Sequence, residues 1–552
     1  MEEKDVIGII LSGATTREAS CQLLEEAERG GIHEGMLLLV KPKDRNPILS
    51  RISKIMPYNA FYTEGDPWSE ARRKGLPIPE DVARQYEVCD LELLIEIPPK
   101  EVNYPPYPGD CVVKIDPKEN EKAIFEISRG DPKHVWYASL AGYKNAPVPL
   151  NVENIPMHIA VFGTTGSGKS FDTGALIEKL ADVPFDENTH ISFPMIIIDA
   201  NGDYLDYVNY FKRKGAMGHV GWIKRFVFPK IYSSRLDMRE DTEYISPIGI
   251  NLDVLSNREL AETIVMYYKG TTEGAELQLS GIASLFEYFA EERLFESKHD
   301  LFLDNYADLL SELRKIDMHD STRKAIARAF NKFVEIEREH KILSTKSVLK
   351  EEKFIDEITK SGSIAVIDFS ADGATGVDLP TKQLVMTYIA TLLFKKFKEF
   401  KVKGKERYLT FLIEEAQNFC PDRSYPVSSS LAHEKLSLIA TQGRKFGLSL
   451  CLITQRPSFV DRIILSMCNT FFIHRISPDD VSFVKNVTGG LPASLASRLT
   501  TLERGELIIT GQMNKVPFPL LVKVKKSDRK VEHTAGTTNV VERLVKLRGG
   551  ED

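Results

Sequence analysis

Hydrophobic positions follow two regimes along the chain. From residue 1 to about 150 they come as short runs, VIGIIL (6–11), GMLLLV (35–40), LELLIEI (91–97) and CVVKI (111–115), with Gly and Pro clusters between them. Such spacing predicts strands joined by turns. Pro98, Pro99, Pro105, Pro106 and Pro108 exclude a helix or central strand across 98–108. A small N-terminal β-barrel over 1–150 follows, with a linker near 145–154. From about 155 apolar runs alternate with amphipathic helical stretches. The expected strands are HIAVFG (158–163), MIIIDA (195–200), SIAVIDF (363–369), YLTFLIEE (408–415), LSLCLITQ (448–455), TFFIHRI (470–476) and ELIITG (506–511). This alternation predicts a parallel sheet with crossover helices, and the nearly unbroken apolar runs suit strands covered on both faces. One section breaks the pattern: 255–345 reads as helical throughout, in ELAETIVMYY, GIASLFEYFAEERL, YADLLSELRKI and RKAIARAFNKFVEI. The chain therefore divides into a barrel (1–150), an α/β core in two parts (151–254 and 346–525) with a helical insertion (255–345) between them, and a polar tail (526–552). The tail ends in a short amphipathic piece, VVERLVKL. It is expected to be disordered or docked on a neighbouring subunit.

Composition narrows the function classes. The chain has 552 residues, of which 42% are hydrophobic and 27% charged, which marks a folded globular protein. Asp and Glu number 79 against 72 Lys and Arg, so a globally basic nucleic-acid coat is excluded while a local basic groove is not. None of the six cysteines forms a C-x-x-C pair, which excludes zinc-ribbon and thioredoxin readings. Cys451, within LSLCLIT, is expected as a buried thiol. The acidic start MEEKD lacks the apolar core of a secretory signal, and no apolar run nears the ~18 residues of a membrane span. A cytoplasmic protein without a membrane partner is expected.

The strongest chemical signal is GTTGSGKS (163–170), a full G-x-x-x-x-G-K-[ST] match placed after a strand and before a helix. Gly163, Thr164, Thr165, Gly166, Ser167 and Gly168 would wrap backbone N–H groups around the phosphates of ATP. Lys169 would reach the β- and γ-phosphates, and the Ser170 hydroxyl would bind Mg²⁺. Such a site needs an acid for the metal and a group for the attacking water. Two strands end in acids: one in Asp199, the other in the adjacent Glu414 and Glu415. The pair suggests Glu414 for metal and Glu415 for water. Asp199 is expected on a strand next to the P-loop, either behind the Mg²⁺ or as an acid that caps its own turn. Gln455, at the tip of a further strand, is placed to sense the γ-phosphate. Arg444, in TQGRKFG, is either an arginine finger on a neighbouring subunit's nucleotide or a cation that complements a helix C-terminus.

In this order, GTTGSGKS, DANGDY, LIEEAQNF, GRKFG and ITQRPS resemble the HerA branch of the HerA–FtsK family of DNA-pumping ATPases. The resemblance implies a RecA-like P-loop ATPase core, with a HAS-barrel for the N-terminal region and a helical insertion. It implies a homohexameric ring that moves double-stranded DNA as a translocase or helicase. A NurA-like partner nuclease and a role in DNA end resection and double-strand break repair come with it. By motif match it makes Glu415 the catalytic acid, Arg444 the finger in trans and Gln455 the sensor. The chain departs from the pattern at Ala200, Asn201, Asp203 and Gln417. These departures leave open an ATPase ring that assembles and regulates a nuclease or antiphage effector without processive movement. Lys212, Arg213, Lys214 and the region of Arg423 are candidates for DNA phosphates or, more plainly, solvated charge.

Overall fold

A computed structural model describes residues 6–25, 31–62, 68–76, 85–186, 188–292, 295–351, 353–425 and 430–533. The expected amphipathic piece at 540–547 lies outside these residues, as do residues 1–5 and part of the loop 420–431. Six strands, β1 (Val6–Ile10), β2 (Glu18–Leu23), β3 (Leu37–Lys41), β4 (Ile48–Tyr58), β5 (Tyr86–Glu96) and β6 (Cys111–Lys114), close into an antiparallel barrel of order β1-β2-β5-β4-β3-β6. Its interior is filled by Ile10, Cys21, Leu38, Val40, Ile52 and Leu91. Two strands, β2 and β4, carry too many polar residues to stand out as apolar runs. One of those residues, Arg51, is buried. It pairs with Glu92 at 2.7 Å and donates to the Pro519 carbonyl at 2.7 Å, tying the barrel to the core.

The core sheet has eleven strands among the described residues. In chain order they are β7 (Ser139–Leu140), β8 (Ile159–Phe162), β9 (Met195–Asp199), β10 (Ile223–Val227), β11 (Ile245–Pro247), β12 (Ile364–Asp368), β13 (Leu409–Ile413), β14 (Leu448–Thr454), β15 (Thr470–Ile473), β16 (Glu506–Gly511) and β17 (Leu520–Lys523). Across the sheet they run β11-β10-β12-β9-β13-β14-β8-β15-β16-β17-β7. The first eight are parallel and the last three antiparallel. The departure from an all-parallel sheet follows from chain length: the short link between β16 and β17 is a hairpin connection, whereas a parallel pair needs a crossover of a dozen or more residues.

Both faces of the sheet are covered. Phe162, Ile196, Ile198 and Leu452 point into one core, while Val161, Ile197 and Ile453 point into the other. Helices α1 (Lys169–Leu180) and α2 (Leu205–Lys214) supply residues to the second core. The helical section holds α3 (Asn257–Lys269), α4 (Glu276–Glu291), α5 (Lys298–Leu303), α6 (Tyr306–Lys315) and α7 (Asp320–His340). A reciprocal box between Ser256 and Glu259 starts α3. The rings of Phe286, Phe302, Phe330 and Phe333, all buried, pack the section together with centroids 5.2 to 6.2 Å apart. The long α8 (Leu379–Val402) is buried along most of its length and joins the same core, as does α9 (His433–Gln442).

His158 fixes the start of the central strand. Its ring is buried; Nδ1 accepts the Leu450 N–H at 2.9 Å and Nε2 donates to the Ala440 carbonyl at 2.9 Å. Burial is the main force that pushes this imidazole down to about 4, the Ala440 carbonyl opposes it, and the Arg444 charge adds to it. Because the folded value lies below the unfolded one, its stabilisation is complete above pH 6.5 and is lost as pH falls from 6.5 towards 4. The loss approaches about 1.4 kcal/mol per pH unit. We expect the urea midpoint of the wild type to fall more steeply across that window than that of His158→Gln. Parallel curves for the two proteins would refute this role.

Candidate nucleotide site

The P-loop is held by its neighbours before any ligand arrives. Gly163 N–H bonds to the Thr454 carbonyl at 3.2 Å, and Thr164 N–H to the Arg475 carbonyl at 2.8 Å. A Cβ on Gly163 would lie 2.6 Å from Ser167 Oγ and 2.8 Å from His474 Cβ. Gly168 has φ +102° and lies against Gly505, whose N–H bonds to the Ser167 carbonyl at 2.9 Å. Gly166, at φ +77°, faces open space. These conformations suit glycine and turn the backbone toward a cavity of about 390 Å³. The buried Asp172, in the first turn of α1, accepts from Tyr137 and from His474 Nε2, the latter at 3.0 Å, which anchors that turn to the sheet.

Strand order decides which side chains meet the P-loop. Between β8 and the glutamate-bearing β13 lies one strand, β14, whose tip carries Gln455. Thr165 Oγ1 donates to Gln455 Oε1 at 2.6 Å, and Gln455 Nε2 donates to Glu415 Oε1 at 2.7 Å. Gln417 donates to the other Glu415 oxygen and accepts from Thr454 Oγ1 at 2.8 Å. Glu415 has φ +50°, a left-handed turn that points its carboxylate away from the strand. Lys169 is buried beside Glu415, Glu414 and Asp203. Burial lowers its pKa while those three acids pull it back up.

Glu414 differs from its neighbour. It is fully buried, and Oε2 accepts the N–H groups of Ala200 and Asn201 at 2.9 and 3.2 Å. Oε1 is buried without a hydrogen-bond partner. Burial, then the charges of Asp199 and Asp203, hold this carboxyl well above the usual range. The orphaned oxygen, the adjacent Asp203 and the Ser170 hydroxyl are hard oxygen donors of the kind Mg²⁺ takes, so the residues present fit that ion.

Asp199 was expected on a strand next to the P-loop strand, and the topology corrects this: β13 and β14 both lie between β9 and β8. Its carboxylate accepts the N–H groups of Gly202, Asp203 and Tyr204 at 2.7, 3.0 and 2.9 Å, shaping the turn that presents Asp203 to the cavity. Burial pushes it up to about 7, against those backbone bonds.

Arg444 is exposed, in a short 3-10 turn (Gly443–Phe446) before β14. The P-loop lies at the opposite end of the strands, so the seven residues of β14, about 23 Å of strand, separate Arg444 from the cavity of its own chain. Lys212 sits in the last turn of α2 and pairs with Asp241 at 2.6 Å. Arg423 is exposed in the turn after Cys420.

Several cavity residues had no place in the sequence reading. Asp203 was legible as the second acid of DANGDY. Arg504 and His533 carry no motif; the fold brings them in from β16's approach and from the end of the described chain. The segment expected to be disordered or docked on a neighbour instead packs on its own core as far as His533. Glu178 of α1 accepts the N–H groups of Lys530 and Val531 at 2.6 and 2.9 Å, and the Arg529 guanidinium lies over the rings of Phe171 and Tyr207 at 5.5 and 5.0 Å.

Residues 137–393 match the family described as helicase HerA, central domain. The chain is 24% identical to the DNA double-strand break repair helicase HerA of Saccharolobus solfataricus over 529 residues, covering 93% of this chain and 91% of that protein. It is also 24% identical to the protein of the same name from Sulfurisphaera tokodaii, over 98% of this chain and 97% of that one. Among solved structures it is similar to the bacterial conjugative coupling protein TrwB (TM-score 0.46, 16% identity, 73% of this chain and 91% of that one). VirB4 of Thermoanaerobacter pseudethanolicus gives a TM-score of 0.45 at 11% identity, over 72% of this chain and 98% of that one. No helix among the described residues is long and apolar enough to cross a membrane.

The two positive-φ glycines separate strain from contact. Alanine at Gly166 meets only the backbone strain, roughly 1–2 kcal/mol, and should weaken binding of a non-hydrolysable ATP analogue by about tenfold. Alanine at Gly168 adds a 2.9 Å clash with the Gly505 nitrogen and should weaken it by about a hundredfold or more. Equal losses in a calorimetric titration would contradict the brace.

Proposed function

We propose, on the premise that the chain is a HerA-type P-loop ATPase, that it is an ATP-driven motor on double-stranded DNA. In this reading it works as a homohexamer with a NurA-like nuclease in DNA end resection and double-strand break repair. The named relatives support the substrate and the process. The observation that carries the chemistry is the hydrogen-bonded line from Thr165 through Gln455 to Glu415, which couples the phosphate loop to the acid that faces it.

Each residue then has a task. The P-loop N–H groups and Lys169 bind the β- and γ-phosphates of the substrate. Glu415, beside Lys169, accepts the proton of the attacking water as the terminal phosphate leaves. Gln455 orients that carboxylate, and a break in its bond to Thr165 would report loss of the γ-phosphate. Mg²⁺, when bound, neutralises charge on the phosphate oxygens, and Ser170, Glu414 and Asp203 are the residues that would hold it. Arg444 lies too far from its own cavity to act there, so any contact it makes with nucleotide belongs to a second subunit.

Two experiments test this reading. Glu415→Gln should still bind ATP but hydrolyse it about 10²- to 10⁴-fold more slowly, while Lys169→Ala should lose binding. Near-normal turnover of Glu415→Gln alongside an inactive Glu414→Gln would reverse the assignment within the pair.

Arg444→Ala and Lys169→Ala should each be nearly inactive alone, the former by about 10³-fold or more. Mixed rings should regain partial ATPase activity, because some interfaces join an intact P-loop to an intact Arg444. Co-assembled rings without recovery, together with an Arg444→Ala protein that hydrolyses ATP normally but no longer binds DNA, would place this arginine on the DNA instead. ATP-dependent assembly with a nuclease but no DNA-stimulated turnover would overturn the motor itself.

A further inference from the structure

The far end of the P-loop helix carries a side-chain cluster that nucleotide chemistry does not use. Asp182 follows α1 and its terminal Ala181. His190 lies in a two-residue strand (His190–Ile191) that pairs antiparallel with Val183–Pro184. His219 lies in the loop between α2 and β10. Three separate segments thus bring their side chains to one point. His190 Nδ1 is 2.8 Å and His219 Nε2 3.6 Å from the same Asp182 Oδ1, and one donor atom from each residue lies within 4.8 Å of the others.

We propose that Asp182, His190 and His219 form a binding site for a divalent transition metal of the zinc class, which clips the strand pair Val183–Pro184 and His190–Ile191 and the loop at 215–221 to the end of the P-loop helix. Zinc holds nitrogen and oxygen ligands at about 2.0–2.1 Å, so two ligands of a tetrahedral ion are about 3.3 Å apart. The distances of 2.8 and 3.6 Å bracket that edge. Both imidazoles lie within ion-pair distance of Asp182, but only His190 is within hydrogen-bond distance of Oδ1; His219 Nε2, at 3.6 Å, is not. Two imidazoles with one carboxylate select zinc, cobalt or nickel over the hard ions magnesium and calcium. All three side chains reach solvent, which leaves room for water at a fourth position.

The backbone sets this geometry without help from an ion. His219 N–H bonds to the Ala181 carbonyl at 2.8 Å, and Phe193 N–H to the Leu180 carbonyl at 2.8 Å. Gly218, at φ +56°, lets the loop come so close that a Cβ there would lie 2.3 Å from the Ala181 oxygen. Helix α1, twelve residues or about 18 Å long, separates the cluster from Ser170, so an ion here is distinct from the nucleotide's Mg²⁺.

The test uses the untagged full-length chain, freed of metal with EDTA and held in excess Mg²⁺ without nucleotide. Zn²⁺ is titrated by calorimetry and Co²⁺ by visible absorption. The expected result is one equivalent per chain with a micromolar or tighter Kd, and an unfolding temperature raised by about 2 °C at a hundredfold excess over Kd. His190→Ala and His219→Ala should each weaken binding at least tenfold. His219→Ala, whose imidazole is half exposed, should keep the wild-type unfolding temperature in EDTA and bind the ATP analogue unchanged. Absence of saturable binding to the wild type, or equal binding by the double variant His190→Ala/His219→Ala, would overturn the proposal.

Discussion

One strand stands between the phosphate loop and the acid that faces it, and this spacing governs the site. Neighbouring strands lie about 4.8 Å apart, so β8 and β13 end roughly 10 Å from one another. That gap is too wide for a direct bond between Thr165 and Glu415. It is wide enough for a terminal phosphate and a water. Gln455, at the tip of the intervening β14, spans it with an amide that accepts from one side and donates to the other. An amide is the side chain for this position because it does both at once without titrating. The left-handed turn at Glu415 and the hydrogen bond from Gln417 then aim the carboxylate at the gap.

The same spacing concentrates buried charge. Lys169, Asp199 and Glu414 are all withdrawn from water, the lysine at the start of α1 and the two acids at the ends of β9 and β13. Charges in such surroundings are costly unless paired or hydrogen-bonded. Asp199 meets the cost with three backbone N–H groups and so belongs to the turn. Glu414 meets it only in part, on one oxygen. A divalent cation at Oε1 would supply the partner that this oxygen lacks. The difference between two acids that look alike in the sequence is thus a difference in how many N–H groups each can reach.

How legible the molecule was depended on whether neighbours in sequence or in space decide the feature. The P-loop and the apolar core strands such as β8, β9, β12, β13 and β14 are local patterns, apolar runs and a glycine spacing, and they lie where the pattern puts them. β10 (IKRFV) and β4 (ILSRISKIMPY) were missed because Lys, Arg and Pro interrupt them. Their polar residues are tolerated because distant partners receive them: Arg225 pairs with Asp368 at 2.5 Å, and Arg51 with Glu92 at 2.7 Å. The location of Asp199 failed for a topological reason. Strand tips can be read in order along the chain, but their order across the sheet depends on crossovers that no local pattern records.

The end of the described chain follows from the same logic of partners. Glu178 lies on α1, nine residues past Lys169, and is nearly buried. A carboxylate there needs donors, and α1 has none to spare in its middle turns. The N–H groups of Lys530 and Val531 supply them, while Arg529 brings the countercharge and stacks on Phe171 and Tyr207. Gly174 leaves room for that guanidinium, since a Cβ there would lie 2.6 Å from Arg529 Nη1. A segment that looks like a polar tail is therefore the missing half of a buried polar cluster on the P-loop helix. Its docking sets His533 at the rim of the nucleotide cavity, beside Phe171. The helix that carries the phosphate lysine is thereby held at three points: by the sheet through Asp172 and His474, by Gly505 through Ser167, and by the chain's own end through Glu178.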